Sequence, residues 1–185
     1  MKKNLKKLIS AVIALAVAGS MIPASFAAKA TISDIEGTAC ENAVNTLVAL
    51  NVINGYEDEA TEDGAIPFKP ENNITRAEVT KVVVAALNQT KSAEGMTGST
   101  QFTDVAADFW ANGFINAGVQ IGFIEGMGDG TFAPSENVTY AQIVKMLVAS
   151  MGYEDYAQYM GGWPNGYLSI ANAEGITDGV KLGAN

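Results

Sequence analysis

The sequence predicts a mainly α-helical domain built from tandem helix–loop–helix repeats, the third of which is incomplete. Two similar motifs, FWANGFI at residues 109–115 and GWPNGYL at residues 162–168, lie 53 residues apart. A weaker similarity relates VING at residues 52–55 to FIEG at residues 123–126. A period of about 50 residues indicates one supersecondary unit used several times, each copy burying its apolar face against its neighbours.

Apolar spacing predicts two helices in each complete repeat. In the second repeat they cover residues 110–121, ending at Gly122, and the residues after Thr139 to about Met151. In the first repeat they cover residues 41–50 and 76–87, and the third repeat supplies one helix over 167–174. The second helices begin with capping-box spacing, and these structural cap residues are Thr75, Glu78, Thr139 and Gln142.

The repeats divide the chain into segments. We assign residues 31–88 to repeat 1, 89–100 to a polar linker, 101–151 to repeat 2 and 152–185 to a partial repeat 3. The partial repeat lacks its capped second helix. We expect this to leave apolar surface uncovered and to favour self-association, with parts of three residues exposed: Tyr167, Leu168 and Ile170.

The amino terminus has the layout of a secretory signal peptide, predicted over residues 1–27. Four lysines form a basic start, residues 8–22 are apolar or small, and Ser25 and Ala27 suit the cleavage positions; a cut after Ala30 is the alternative. The apolar stretch is shorter than the ~20 residues of a membrane-spanning helix. We therefore expect an exported protein with no stable membrane insertion after cleavage.

Composition excludes several classes of function. After cleavage at Ala27, seven basic and twenty acidic side chains remain, a formal charge of −13. This charge argues against nucleic acid and against anionic membranes as partners. The chain contains no histidine, which excludes Ser-His-Asp and Cys-His nucleophiles and histidine-ligated zinc. The acidic residues permit a two-carboxylate glycoside hydrolase, but no pair stands out. We expect a non-enzymatic binding module without metal or cofactor.

Arg76 is the strongest candidate binding residue. It is the only arginine in the chain and lies in the first turn of a predicted helix, where the helix dipole disfavours a cation. A guanidinium beside free helix N–H groups would bind a carboxylate well; the alternative is an ion pair with an acid such as Glu71. Trp110 suits either sugar stacking or the core, whereas Trp163 is expected to be core.

The ordered motifs of the two complete repeats resemble the S-layer homology domain family. The second repeat gives FTDV at 102–105, WA at 110–111 and DGTFAP at 129–134. The first gives ISDI at 32–35, PFKP at 67–70 and TRAE at 75–78. The second repeat departs from the pattern, with Tyr140 and Gln142 where the family has arginine and glutamate. The first repeat has Ala39 where the second has Trp110.

The resemblance implies a pseudo-threefold arrangement and non-covalent anchoring of an exported protein at the cell wall or S-layer of a Gram-positive-type bacterium. Grooves between repeats would bind secondary cell-wall polysaccharide, often through a pyruvate ketal, with peptidoglycan as the alternative partner. Carried onto this sequence, the polysaccharide-binding residues are Arg76, Asp34, Asp104, Trp110, Gly128 and Asp129. Two alternatives stay open: a fragment of a structural surface-layer subunit, and the anchor of a glycoside hydrolase whose catalytic part lies elsewhere.

Overall fold

A computed structural model describes residues 31–180 of the chain. The predicted signal peptide and the last five residues, 181–185, lie outside the described residues. Between them the structure is mainly helical, which confirms the predicted fold class; the pseudo-threefold arrangement stays a prediction. Strands β1 (Thr31–Ile32) and β2 (Ala65–Ile66) pair, and a 3-10 turn covers Glu57–Glu59. The helices are α1 (Glu41–Ala49), α2 (Arg76–Ala86), α3 (Thr90–Glu94), α4 (Asn112–Ile121), α5 (Tyr140–Ser150), α6 (Glu154–Tyr159) and α7 (Asn165–Ala173).

The second helix of each complete repeat begins with a reciprocal cap. At α2 the Glu78 N–H donates to Thr75 Oγ1 at 3.3 Å, and the Thr75 N–H donates to Glu78 Oε2 at 2.8 Å. At α5 Thr139 and Gln142 make the same pair of bonds. Each cap satisfies two backbone donors of the helix start and stabilises its helix by about 0.5–2 kcal/mol.

Helices pair across the repeat boundaries. The second helix of repeat 1, α2, packs on α4 of repeat 2, and α5 packs in the same way on α7 of repeat 3. Val84 and Ile115 are fully buried at the first contact, and Val148 and Tyr167 at the second. Each of these helices thus buries part of its apolar face against the neighbouring repeat, and the repeats share their core.

The segment expected as a polar linker contains a helix with a buried residue. Helix α3 places Ala93 in the core against α4, where a Cβ on Gly113 would lie 2.1 Å from the Ala93 carbonyl oxygen. The same relation recurs between α6 and α7, where a Cβ on Gly166 would lie 2.1 Å from the Ala157 oxygen. Each short helix thus packs closely against a glycine at the start of the helix that follows it.

The third repeat does not expose the apolar surface expected of it. Tyr167 is fully buried and Ile170 is 3% exposed, because α5 and α6 cover this face of α7. The Tyr167 hydroxyl donates to Glu154 Oε1 at 2.5 Å and accepts from Gln158 Nε2 at 2.8 Å. The expectation of uncovered surface is wrong for Tyr167 and Ile170, since helix α6 was not recognised in the sequence, whereas Leu168 is partly exposed.

Candidate functional site

Two grooves lie at the repeat boundaries. The first, named the Arg76 groove, has a volume of about 360 Å³ and is lined by Arg76, Phe123, Ile124, Glu125, Gly126, Met127, Gln142, Lys145, Met146 and Trp163. The second, named the Trp110 groove, has a volume of about 640 Å³ and is lined by Val52, Ile53, Asn54, Gly55, Tyr56, Asp58, Phe68, Lys69, Pro70, Asn72, Asn73, Ile74, Glu78, Lys81, Val82 and Trp110.

Equivalent segments of the chain build the two grooves. Each contains the turn of one repeat, residues 123–127 or 52–56, and one face of the second helix of that repeat. Each also contains the tryptophan that opens the next repeat. The Arg76 groove has one further component, because Arg76 enters it from the repeat before. The Trp110 groove has no such arginine in its lining.

Arg76 is the first residue of α2, and its side chain reaches the turn of the second repeat. Its Nε donates to the Phe132 carbonyl at 2.8 Å and its Nη2 to the Glu125 carbonyl at 3.4 Å. The guanidinium carbon lies 4.7 Å from the centroid of the Phe132 ring, a cation–π contact. With 7% of its surface exposed, Arg76 is held rigidly between two repeats.

The charge of Arg76 is not paired within the described part of the chain. Among residues 31–180 the ion pairs are Lys69–Glu59 and Lys145–Glu125, so the alternative of a bridge to Glu71 is not formed. Desolvation lowers the pKa of Arg76 and outweighs the negative charge of Asp104, which raises it; the guanidinium nevertheless stays charged, because arginine is not deprotonated in proteins. A largely buried cation without an ion-pair partner is costly. The groove therefore favours entry of an anion.

The backbone at the start of α2 does not contribute to an anion site. The Arg76 N–H donates to the Glu136 carbonyl and the Ala77 N–H to the Pro134 carbonyl, both at 3.0 Å. The next N–H is used by the Thr75 cap. The expectation of free helix N–H groups beside the guanidinium is wrong, because a turn of the second repeat accepts from two of them. The first turn of α2 therefore leaves none of these N–H groups for an anion.

Asp34 and Asp104 occupy equivalent positions and hold equivalent turns. Asp34 accepts hydrogen bonds at 2.7 Å from the N–H groups of Phe68 and the residue after it. Asp104 accepts at 2.8 and 2.7 Å from the N–H groups of Phe132 and the residue after it. The following residues have φ of 59° and 58°, a conformation that non-glycine residues rarely adopt. Each carboxylate thus fixes a strained turn beside a groove, and neither lines one.

The electrostatics of Asp34 agree with this geometry. Partial desolvation raises the pKa of Asp34, and the backbone hydrogen bonds from Phe68 and Lys69 together outweigh it and lower the pKa below its ordinary value. The ionised form is favoured because two N–H groups point at it. The ionised carboxylate of Asp34 is therefore occupied by its hydrogen bonds to the turn.

Gly128 and Asp129 form the exposed tip of the second-repeat turn. Asp129 accepts from the Thr131 N–H at 3.0 Å and from the Thr131 hydroxyl at 2.6 Å. The Thr131 hydroxyl bond is the largest cause lowering the pKa of Asp129. Gly128 has a φ of 92°, which suits glycine. Both residues lie outside the linings of the two grooves.

Each groove has one tryptophan at its rim. Trp110 is 53% exposed and Trp163 is 50% exposed. The expectation that Trp163 is a core residue is therefore wrong, although its ring contacts the Tyr167 ring at 6.2 Å between centroids. Trp110 and Arg76, which the sequence suggested as companions in one site, line different grooves.

Two groove lysines were missed in the sequence. Lys145 and Lys81 each stand six positions after a capping threonine, and each lines one groove. Lys145 forms an ion pair with Glu125. A lysine on the polar side of a helix ordinarily indicates a solvated face. The sequence feature that could have identified these two lysines is that both occupy the same position relative to the capping threonine.

The comparison with known families decides what these repeats are. The profile of the S-layer homology domain matches residues 31–80 and 101–144, which include the turn and the start of the second helix of each complete repeat. The chain belongs to the S-layer homology domain family. This membership places the chain at the bacterial cell surface, outside the cell membrane.

Relatives of this S-layer homology chain include proteins named for the cell surface. It is 33% identical over 99% of its length to a cell surface protein of Thermoanaerobacter kivui, covering 23% of that relative. It is 33% identical over 97% of its length to a surface layer protein of Brevibacillus choshinensis, covering 15%. It is 29% identical over 60% of its length to a cellulosome-anchoring protein of Acetivibrio thermocellus, covering 28%. The S-layer homology chain thus spans less than a third of each relative.

Within residues 31–180 none of the helices is long and apolar enough to cross a membrane.

Proposed function

We propose that this S-layer homology domain holds an exported protein at the cell wall by binding secondary cell-wall polysaccharide in the Arg76 groove. The observation that carries the proposal is the largely buried guanidinium of Arg76, which has no ion-pair partner among the described residues. The ligand group is a carboxylate on an acidic sugar, such as a pyruvate ketal. No catalytic step is proposed.

The guanidinium suits a carboxylate because of its geometry. Arg76 has five N–H donors, and two of its nitrogens already bond to carbonyls. These two bonds fix the plane of the guanidinium before a ligand arrives. The remaining donors can meet both oxygens of a carboxylate. A charge-assisted hydrogen bond contributes about 1.5–3 kcal/mol, and no entropy is spent ordering this side chain.

The rest of the groove suits a sugar ring. Trp163 offers a half-exposed aromatic face at the rim, against which the C–H groups of a pyranose ring can pack. Met127 is also half exposed and extends the apolar side of the groove. Lys145 and Gln142 supply polar groups on the helix side. One groove thus combines a fixed cation with an apolar platform and hydrogen-bonding groups.

The anchored cargo is a separate question, and two kinds of protein fit the proposal. Relatives of this chain include a surface layer protein and a cellulosome-anchoring protein, and the chain spans only part of each. The same module can therefore anchor a structural surface-layer subunit or a protein of a wall-associated enzyme system. In both cases the groove would bind the same wall polysaccharide.

Co-sedimentation of residues 28–185 with purified cell walls tests the proposal. Walls are compared before and after chemical removal of the secondary polysaccharide. We expect the protein to pellet with intact walls and to remain in solution with stripped walls. Pelleting with both would assign binding to peptidoglycan, and pelleting with neither would contradict the proposal.

A further inference from the structure

We infer that the Trp110 groove binds an uncharged sugar ring, whereas the Arg76 groove binds the acidic one. The inference rests on the proposed function and gives each groove its own ligand class. The two grooves share one architecture, so their difference lies in a few substituted residues. Those residues remove the excess positive charge from the Trp110 groove and leave a polar, aromatic site.

The first difference is the missing guanidinium. The Arg76 groove receives Arg76 from the repeat before it. No arginine lines the Trp110 groove, and the chain contains no second arginine to supply one. The Trp110 groove therefore lacks the planar fork that binds both oxygens of a carboxylate.

The second difference is the balance of the other charges. Lys69 is used internally, since its Nζ pairs with Glu59 at 2.5 Å and lies 4.6 Å from the centroid of the Tyr56 ring. Lys81 shares the groove lining with two carboxylates, Asp58 and Glu78. An anionic sugar in this groove would meet negative charge as well as positive charge. The electrostatic gain that favours an anion beside Arg76 is absent.

What remains in the Trp110 groove suits neutral carbohydrate. Trp110 is 53% exposed and presents an aromatic face to the C–H groups of a sugar ring. Three side-chain amides, those of Asn54, Asn72 and Asn73, line the same groove. An amide both donates and accepts hydrogen bonds, as sugar hydroxyls require. Asn54 stands where the other groove has Glu125, so an amide replaces the carboxylate that pairs with Lys145.

The two tryptophans allow the grooves to be observed separately. The protein has only Trp110 and Trp163, and each lines a different groove. In residues 28–185, Trp163→Phe leaves fluorescence from the Trp110 groove, and Trp110→Phe leaves fluorescence from the Arg76 groove. Each variant is titrated with purified secondary polysaccharide and with the same polymer after its carboxyl groups are reduced to alcohols. Circular dichroism melts establish that both variants are folded.

We expect the Trp110 signal to respond to both polymers with affinities within about threefold of each other. We expect the Trp163 signal to respond to the native polymer and to lose about tenfold or more in affinity on carboxyl reduction, equivalent to 1.4 kcal/mol. A Trp110 response that disappears with the carboxyl groups, or no Trp110 response to either polymer, overturns the inference and leaves the proposed function intact. No response from either tryptophan to the native polymer overturns the proposed function itself.

A second variant tests the same claim by removing a positive charge from the Trp110 groove. Lys81→Gln removes the one lysine of the Trp110 groove that is outside the described ion pairs. In the Trp163→Phe background, we expect this change to leave the affinity for native polymer within about threefold. A loss of about tenfold for native polymer alone would mean that Lys81 binds an anion, which overturns the inference.

Discussion

Arg76 and Phe132 join the first two repeats through both the backbone and the ring of the phenylalanine. Arg76 Nε donates to the Phe132 carbonyl at 2.8 Å, and the guanidinium lies over the Phe132 ring. The N–H of the same phenylalanine donates to Asp104 Oδ1 at 2.8 Å. Asp104 therefore positions Arg76 through a single residue, Phe132, although the two side chains belong to different repeats.

Replacing Arg76 should reduce stability as well as binding. Arg76→Met leaves the buried Phe132 carbonyl without its donor, at a cost of about 1–3 kcal/mol in the free energy of unfolding. Urea denaturation measures this cost. Lys91→Met is the control, because Lys91 is exposed on α3 and its loss should change stability by less than about 0.5 kcal/mol. Equal stability of the wild type and the Arg76 variant would contradict the contact described here.

Substitution of either of the two equivalent aspartates should lower stability, but only one of the substitutions should also weaken binding. Asp104→Asn and Asp34→Asn each replace one acceptor oxygen with an amide that faces a backbone N–H. Each should therefore lower the free energy of unfolding by about 1–3 kcal/mol. Only Asp104→Asn should also weaken binding of native polymer, by roughly tenfold, because only its turn positions Arg76. Titration calorimetry of both variants checks this, and equal affinity losses would refute the link from Asp104 to Arg76.

Stability should fall in acid partly through Asp34. The folded pKa of Asp34 lies below its ordinary value, so the stabilisation is present above about pH 4 and is lost as the pH falls through the folded pKa. Asp34→Asn cannot titrate. The difference in melting temperature between the wild type and this variant should be largest near neutral pH and shrink below about pH 4. A difference that stays constant down to about pH 2 would exclude this contribution.

The glycine contact between α3 and α4 should tolerate no side chain. Gly113→Ala places a Cβ 2.1 Å from the Ala93 carbonyl oxygen, so α3 must move. We expect a loss of about 1–3 kcal/mol or more in the free energy of unfolding. Gly95→Ala is the control, since its Cβ would lie 3.5 Å from the nearest atom, the Ser92 carbonyl oxygen. Similar urea midpoints for the two variants would show that this close approach is not required.

Local signals in the sequence predicted the repeats and the long helices. Capping pairs such as Thr75 with Glu78 act within four residues, and the apolar spacing of α5 is set by its own turns. Helices α3 and α6 escaped notice because each buries essentially one alanine, Ala93 or Ala157. A helix of five or six residues has too few turns to show periodicity.

The composition of each groove depends on tertiary structure, which the sequence pattern does not contain. Arg76 and Trp110 both belong to motifs of the family. They line different grooves because each groove is formed by residues of neighbouring repeats. Trp163 was misjudged because a tryptophan at the start of an amphipathic helix ordinarily packs inward. The groove lysines could have been found only by comparing equivalent positions of the repeats.

The substitution Arg76→Lys tests whether the guanidinium of Arg76 binds a carboxylate of the wall polysaccharide. Lysine keeps the charge but lacks the guanidinium fork. Calorimetric titration of folded residues 28–185 with purified polysaccharide should show an affinity about tenfold to a hundredfold lower for the variant, equivalent to about 1.4–2.8 kcal/mol. Lys81→Gln in the other groove should bind native polymer like the wild type. An Arg76→Lys protein that melts cooperatively and binds native polymer as tightly as the wild type would contradict the account.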